Sequence, residues 1–228
     1  MRTIDRRAWT GTASLERPVT RRLLMAGLCR GALAAGPLAA AWPQPARAGA
    51  QVEEPLAASV RSALSAAISD SAPPRPSFDA MDDRLAYLRW LGNMSERLRK
   101  RESEHRRRVE FLEAAWYESK RAGLETSLML GLVQVESGFR QFAVSASGAL
   151  GYTQVMPFWS YLIGDGTVHH LFHMQTNLRF GCVILRHYLD VEQGNMFMAL
   201  GRYNGSRGRA EYPAAVFASQ RQWIHVPV

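Results

Sequence analysis

Residues 129–157 read MLGLVQVESGFRQFAVSASGALGYTQVMP: an apolar run ending on one carboxylate, Glu136, then a loop of small residues and a second apolar segment. Glu136 is the only acidic residue between Glu125 and Asp165. Leu128, Met129, Leu132, Val133 and Val135 cover most of a helical circumference, which predicts a buried, central helix from Thr126 to Glu136. Thr126 or Ser127 is its expected N-cap and Gly138 marks its end. A lone acid on such an element is either a paired core charge or a site. Burial disfavours the charged form and raises the pKa. A carboxylic acid still protonated near neutral pH can protonate a leaving-group oxygen, as glycosidic cleavage requires. Pairing with Arg140 would instead make Glu136 half of a structural ion pair. Periodicity alone does not separate the two.

Downstream, Tyr152 to Ile163 reads as an apolar helix with Pro157 in or near its first turn, ended by Gly164-Asp165-Gly166. Leu178, Cys182, Leu185 and Leu189 give Leu171 to Val191 a helical period. Phe197 to Tyr203 is a short helix stopped by Asn204-Gly205, and Tyr212 to Trp223 a last amphipathic one. Upstream, Glu54 to Asp70 has helical spacing, and the Pro-rich segment 71–77 breaks it. Residues 79–95 form a helix with Met81, Leu85, Leu88 and Leu91 on one side. From Glu96 to Lys120 acids and bases interleave, which fits a solvated helix with i,i+4 pairs; attraction to an anionic polymer is the other reading. Phe111, Leu112, Ala115 and Trp116 give that helix a core-facing side, and Gly123 ends it. No sustained period-two pattern occurs, so the chain reads as all-α.

The chain has 228 residues and a net charge of +8. Residues 1–48 hold 8 of the 28 Lys and Arg but 2 of the 20 Asp and Glu, so the remainder is nearly balanced and nucleic-acid binding is not expected. That leader carries Thr20-Arg21-Arg22-Leu23-Leu24-Met25, a weakly apolar run from Gly31 to Trp42, and the small-x-small triplet Ala46-Arg47-Ala48. It reads as an export signal at 1–48, with a start at Met25 or a plain basic tail as alternatives. The expected location is periplasmic or secreted. No run reaches the roughly 18 to 20 apolar residues of a membrane span. Cys29 lies in the leader and Cys182 stands alone among apolar neighbours, a buried thiol. His169, His170 and His173 lack metal-ligand spacing, so neither metal nor cofactor is expected.

Glu136-Ser137-Gly138-Phe139-Arg140, then Ala143 to Pro157, resembles the catalytic core of the family 1 soluble lytic transglycosylases, with its E-S-G/x-F and A-V-S-x-x-G-A-x-G-x-x-Q-x-M-P patterns. Asn177-Leu-Arg-Phe-Gly181 resembles that family's N-x-x-x-G helix, and Tyr203-Asn204-Gly205 its A-Y-N-x-G motif. The resemblance covers roughly residues 107–226. It implies a goose-type lysozyme-like helical domain at 106–228, following a helical extension or linker at 49–105. It also implies a groove for peptidoglycan glycan strands. In that family one Glu protonates the oxygen between N-acetylmuramic acid and N-acetylglucosamine. It then takes a proton from the muramyl C6 hydroxyl, which attacks C1 and leaves a 1,6-anhydro end. No second carboxylate is needed, unlike ordinary glycosidases.

The resemblance makes Glu136 the acid/base. It places Ser145 and Ser147 near the reacting sugar, Gln154 behind the site and Met156 in the groove wall. Tyr203 would bond the Glu carboxyl, with Asn204 adjoining. Tyr152, Thr153 and Arg202 depart from the family pattern, and Trp159 and Tyr161 add aromatic surface, so the shape of the sugar subsites should differ here. A water-using muramidase would need a second carboxylate, for which Asp165 is the candidate. A non-catalytic glycan-binding component of a cell-envelope apparatus would be expected to have lost the Glu or the Tyr. Residues 49–105 remain a candidate surface for a cell-envelope protein partner.

Overall fold

The computed structural model describes residues 51–69 and 76–225; the export signal expected at 1–48 lies outside them. The described residues form eight α-helices and no strand, only isolated bridges joining Val144, Leu150 and Val155. The all-α expectation is met. In chain order the helices are α1 (Ala58–Ser69), α2 (Met81–Leu98), α3 (His105–Arg121), α4 (Thr126–Glu136), α5 (Pro157–Ile163), α6 (Met174–Val191), α7 (Met196–Asn204) and α8 (Glu211–Gln220). Short 3-10 turns occupy Val168–Phe172 and Arg221–Trp223.

Helix α4 begins and ends where its sequence predicts, and it is central because apolar residues surround it. Leu128, Met129 and Leu132 enter one core cluster with Leu185, Leu200 and Val216. Leu130 and Val133 enter a second with Met94, Leu98, Leu112 and Leu178. Each such fully buried side chain contributes on the order of 1.5–3 kcal/mol. The N-cap position falls to Glu125, which makes no side-chain cap. The Thr126 hydroxyl instead meets Ser119 Oγ at 2.7 Å and ties α4 to α3. Gly131 lets α4 lie against α8: a Cβ there would come within 2.7 Å of the Gln220 amide nitrogen.

Two helices are shorter than their patterns. The charged run is broken at 99–104, so α2 ends at Leu98 and α3 starts at His105. Pro157 takes the first position of α5, where its missing N–H is harmless; Tyr152 to Val155 form a buried turn ahead of it. On α2 the buried side is Tyr87, Leu91, Met94 and Leu98, whereas Met81, Leu85 and Leu88 are exposed. Phe78, Tyr87 and Trp116 form an aromatic cluster, with ring centroids 5.0–6.0 Å apart, that sets this rotation.

The described part of 49–105 shares its core with the rest of the chain. Helix α2 packs in the second cluster, and Leu56, Leu64 and Ile68 lie against the first. The C-terminal carbonyls of α1 are met by cations, which suits the negative end of a helix. Arg121 donates to the Ala67 carbonyl and Arg179 to that of Ile68, the latter at 3.1 Å. Arg179 also forms a buried pair with Glu118 at 2.9 Å. Ahead of α1, Gln51 Oε1 accepts from the Trp159 indole at 2.9 Å and Glu54 meets Arg202 at 2.7 Å. None of the helices among the described residues is long and apolar enough to cross a membrane.

Candidate active site

Glu136 is the last residue of α4 and is 6 % exposed. A helix C-terminus carries partial negative charge, so burial and the helix end both disfavour its carboxylate. The Tyr212 hydroxyl, from the first turn of α8, donates to Glu136 Oε1. Oε2 is buried and has no hydrogen-bond partner among the described residues. Burial drives the Glu136 pKa up to about 8, against a smaller lowering by the Tyr212 hydrogen bond. Tyr212 is itself buried, and both burial and Glu136 hold its pKa well above the ordinary value, so it stays a donor.

The ion-pair alternative for Glu136 does not form. Arg140 is exposed and its Nε donates to the Ser137 carbonyl at 2.8 Å. The chain leaves α4 through Gly138 at φ 61° and Phe139 at φ 68°. The second is a rare conformation for a bulky residue, and it turns the Phe139 ring onto Phe111 and Trp223.

The loop after Phe139 is held from within. Leu150 and Val155 exchange both backbone hydrogen bonds, at 2.9 and 3.0 Å, and the Gly151 amide reaches the Ala143 carbonyl. Asn177, buried on α6, organises its underside. Its amide nitrogen donates to the carbonyls of Leu150 and Leu171, and its Oδ1 accepts from the Thr153 amide and hydroxyl. Gly151 is required by both its φ of 75° and the approach of Asn177, whose Nδ2 would lie 2.3 Å from a Cβ.

The expected site residues divide between the rim and the support of this loop. Ser145 Oγ accepts from the Ala149 amide at 3.0 Å and lies 2.9 Å from Ser147 Oγ, so the hydroxyls pair across the tip. Gln154 is buried at φ 51°, with its amide group donating to the carbonyls of Gly151 and Ala143. Met156 is half-buried at the start of α5, against the first core cluster. Asn204 ends α7, donating to Ser206 Oγ and leaving Oδ1 buried with no partner among the described residues.

Tyr203 is a correction. Its hydroxyl donates to the Thr153 carbonyl at 2.7 Å, not to Glu136, and its side chain is 1 % exposed. It lies near enough to Glu136 to feel its charge but braces the loop. The bond expected of it is made by Tyr212, the residue at which the sequence pattern opens the last amphipathic helix. A tyrosine opening the helix that packs on α4 was the available signal.

The departures from the family pattern also face inward. Tyr152 packs on Phe111, with ring centroids 4.9 Å apart, Thr153 is spent on Asn177, and a Cβ on Gly181 would strike it at 2.6 Å. Arg202 joins Glu192 to Glu54 of the N-terminal arm. Trp159 is buried under the same arm, so of the added aromatics Tyr161 alone is exposed. Asp165 is exposed, accepts from the Thr167 amide and pairs with His170 at 2.8 Å. No group of three His, Cys, Asp or Glu among the described residues is placed to hold a metal.

Comparison with known proteins adds the family. Residues 113–224 match the family described as Transglycosylase SLT domain. Over 39 residues the chain is 51% identical to "Membrane-bound lytic murein transglycosylase C" of Haemophilus ducreyi, and equally so to its namesake in Glaesserella parasuis. Those 39 residues are 17% of this chain and 11% of each relative, so the chain spans about a tenth of the curated relatives it matches. Among solved structures it is similar to an inactive mutant of the lytic transglycosylase Slt from Pseudomonas aeruginosa, at 22% identity and a TM-score of 0.40, covering 61% of this chain and 27% of that one. The matching stretch, residues 113–224, carries Glu136, the Asn177-braced loop and Tyr212, so the part of the chain that resembles the Transglycosylase SLT domain family is the part that holds the site.

Proposed function

We propose that the chain is a peptidoglycan lytic transglycosylase that cleaves the β-1,4 bond between N-acetylmuramic acid and N-acetylglucosamine, leaving 1,6-anhydromuramyl ends. The observation that carries this is the state of Glu136: buried, held by Tyr212 at one oxygen, free at the other, and with its pKa raised to about 8. At neutral pH such a group holds a proton it can give to the glycosidic oxygen. Once ionised, it accepts the proton of the attacking C6 hydroxyl. The nucleophile belongs to the sugar, so one carboxyl serves both transfers. The causes that shift Glu136 are burial and Tyr212, with no acidic neighbour among them. A hydrolytic muramidase is less well supported, because Asp165 is exposed and engaged by His170 and Thr167.

In this reading Ser145 and Ser147 present hydroxyls to the sugar at the loop tip, and Met156 lines the groove. Gln154, Tyr203 and Asn204 hold that loop in shape. The leader at 1–48 delivers the protein to the cell envelope. The exposed apolar residues Met81, Leu85 and Leu88 support residues 49–105 as the surface toward a protein partner there. The deciding experiment is digestion of purified peptidoglycan followed by mass spectrometry of the products. Anhydromuramyl ends made by the wild type and absent with Glu136→Gln are the expected result. Reducing ends would make the enzyme a hydrolase. A folded wild type that releases nothing would overturn both.

A further inference from the structure

The charged run at 96–110 does not behave as one solvated face. Beyond the break in the helix two of its three arginines have acidic partners, Arg106 meeting Glu110 at 2.8 Å and Arg107 lying 3.6 Å from Glu102, while Arg108 is buried and donates to Ser95 and to the Glu102 and Ser103 carbonyls. Around the break the balance changes. Arg97, Arg99, Lys100 and Arg101 line one side of a cleft of about 610 Å³, closed on the other side by Gln222 and Trp223. Glu96, paired with Arg99 at 3.2 Å, is the one acid among the described residues that line it. Lys100 and Arg101 make no ion pair among the described residues.

This cleft adjoins the turn that carries Glu136. The Arg101 guanidinium lies over the Phe139 ring, 5.6 Å from its centroid, and Arg101 Nη1 is 4.0 Å from where a Gly138 Cβ would stand. Trp223 packs on Phe139 with ring centroids 5.1 Å apart and donates its indole N–H to Gln134 Oε1 at 2.9 Å. The cleft therefore rests on residues two before and two to three after Glu136. Arg97 fixes its far wall by donating to the carbonyls of Gln222 and Ile224, at 2.8 and 2.9 Å. Lys100 and Arg101 are thus set beside a braced wall with no ion pair among the described residues.

We propose that this cleft is an anion subsite that receives the carboxylates of the peptide stems on peptidoglycan, an inference that rests on the function proposed above. The glycan strand itself is mostly hydroxyl and amide; its peptide stems carry the free carboxylates. A stem of four or five residues reaches roughly 15 Å from its muramyl sugar, and the cleft rests on Gln134, Gly138 and Phe139, two to three residues from Glu136. Arg101 and Lys100 take the carboxylates, Arg101 as a guanidinium already oriented by Phe139. The subsite would make the enzyme favour peptide-bearing over peptide-free glycan, by lowering KM more than by raising kcat.

The test compares two substrates, intact peptidoglycan and the same material stripped of its stems by an amidase, in cleavage by the full chain. Binding of both to the Glu136→Gln protein is measured by co-sedimentation. The expected result is a wild-type preference for the intact material that falls about fivefold in KM in Lys100→Glu and Arg101→Gln, the size of exposed charge contacts, and fades at high salt. Cleavage of stripped glycan should be unchanged in Lys100→Glu, whose exposed side chain braces nothing, and Arg101→Lys should restore part of the preference. Equal preference in wild type and Lys100→Glu overturns the subsite while leaving the proposed function standing. Equal loss on both substrates overturns it too, as that marks a structural role. Binding that needs Lys100 and survives removal of the stems points to another anionic polymer and likewise overturns it. A wild type that cleaves neither substrate overturns both the proposed function and the subsite.

Discussion

The Tyr212 hydroxyl donates to Glu136 Oε1 across 76 residues of sequence, joining the first turn of α8 to the last turn of α4. The bond stabilises the ionised carboxyl and so lowers a pKa that burial raises. It also fixes which oxygen, Oε2, is left without a hydrogen-bond partner among the described residues.

Replacing Tyr212 by Phe removes that stabilisation, so the Glu136 pKa should rise above about 8. In kcat/KM against pH, the alkaline limb should move up by about one pH unit, the scale of a hydrogen bond to a charged group. The maximum should fall as well, since in the proposed mechanism the second proton transfer needs the carboxylate. A limb that moves down, or stays, would contradict the role given to Tyr212.

Glu136 should make the fold less stable as pH rises. Its folded pKa, about 8, lies above the ordinary 4.5, so the folded state binds the extra proton between those values. The effect is absent below about pH 4.5, grows as pH rises, and is complete above about pH 8, where it amounts to at most about 5 kcal/mol. Glu136→Gln keeps an acceptor for Tyr212 without the charge. Its stability to urea should exceed the wild type's at pH 9 and match it near pH 4.

Gly131→Ala places a methyl 2.7 Å from the Gln220 nitrogen and 3.0 Å from the Val216 carbonyl, both backbone, so α8 must move as a unit. Helix propensity returns about 1 kcal/mol, less than the 1–3 kcal/mol of overpacking. The protein should lose about 1 kcal/mol in denaturant unfolding and most of its activity, since Tyr212 rides on α8. A stabilised variant would mean the helices are looser than they stand.

The arm ahead of α1 offers a contrast of contacts. Gln51→Ala leaves the buried Trp159 indole N–H without its acceptor and should destabilise by about 1–3 kcal/mol. Glu54→Gln weakens a half-exposed ion pair with Arg202 and should change stability by less than about 1 kcal/mol. Thermal unfolding of both variants ranks the two contacts.

Helix α4 was legible from its letters because burial on all sides leaves no choice of face. The acid at its end followed, and so did the turn glycines. Other features depended on partners far along the chain. Both Met81-Leu85-Leu88 and Tyr87-Leu91-Met94-Leu98 have helical spacing, and Phe78 and Trp116 decide which side is covered. The break at 99–104 was hidden because charges on both sides of it carry no apolar period. Tyr203 and Tyr212 are each a buried tyrosine near a helix end, and only the α4–α8 packing decides which one reaches Glu136. Arg202 looked like a change to the groove because its partner, Glu54, is 148 residues away.

Cys182 lies in the middle of α6, 1 % exposed, with burial holding its pKa well above the ordinary thiol value. A thiol-specific reagent needs both access and a thiolate, and the closed molecule supplies neither. Labelling of this residue therefore counts the moments when α6 parts from its neighbours. The domain thus carries its own clock for opening of the core.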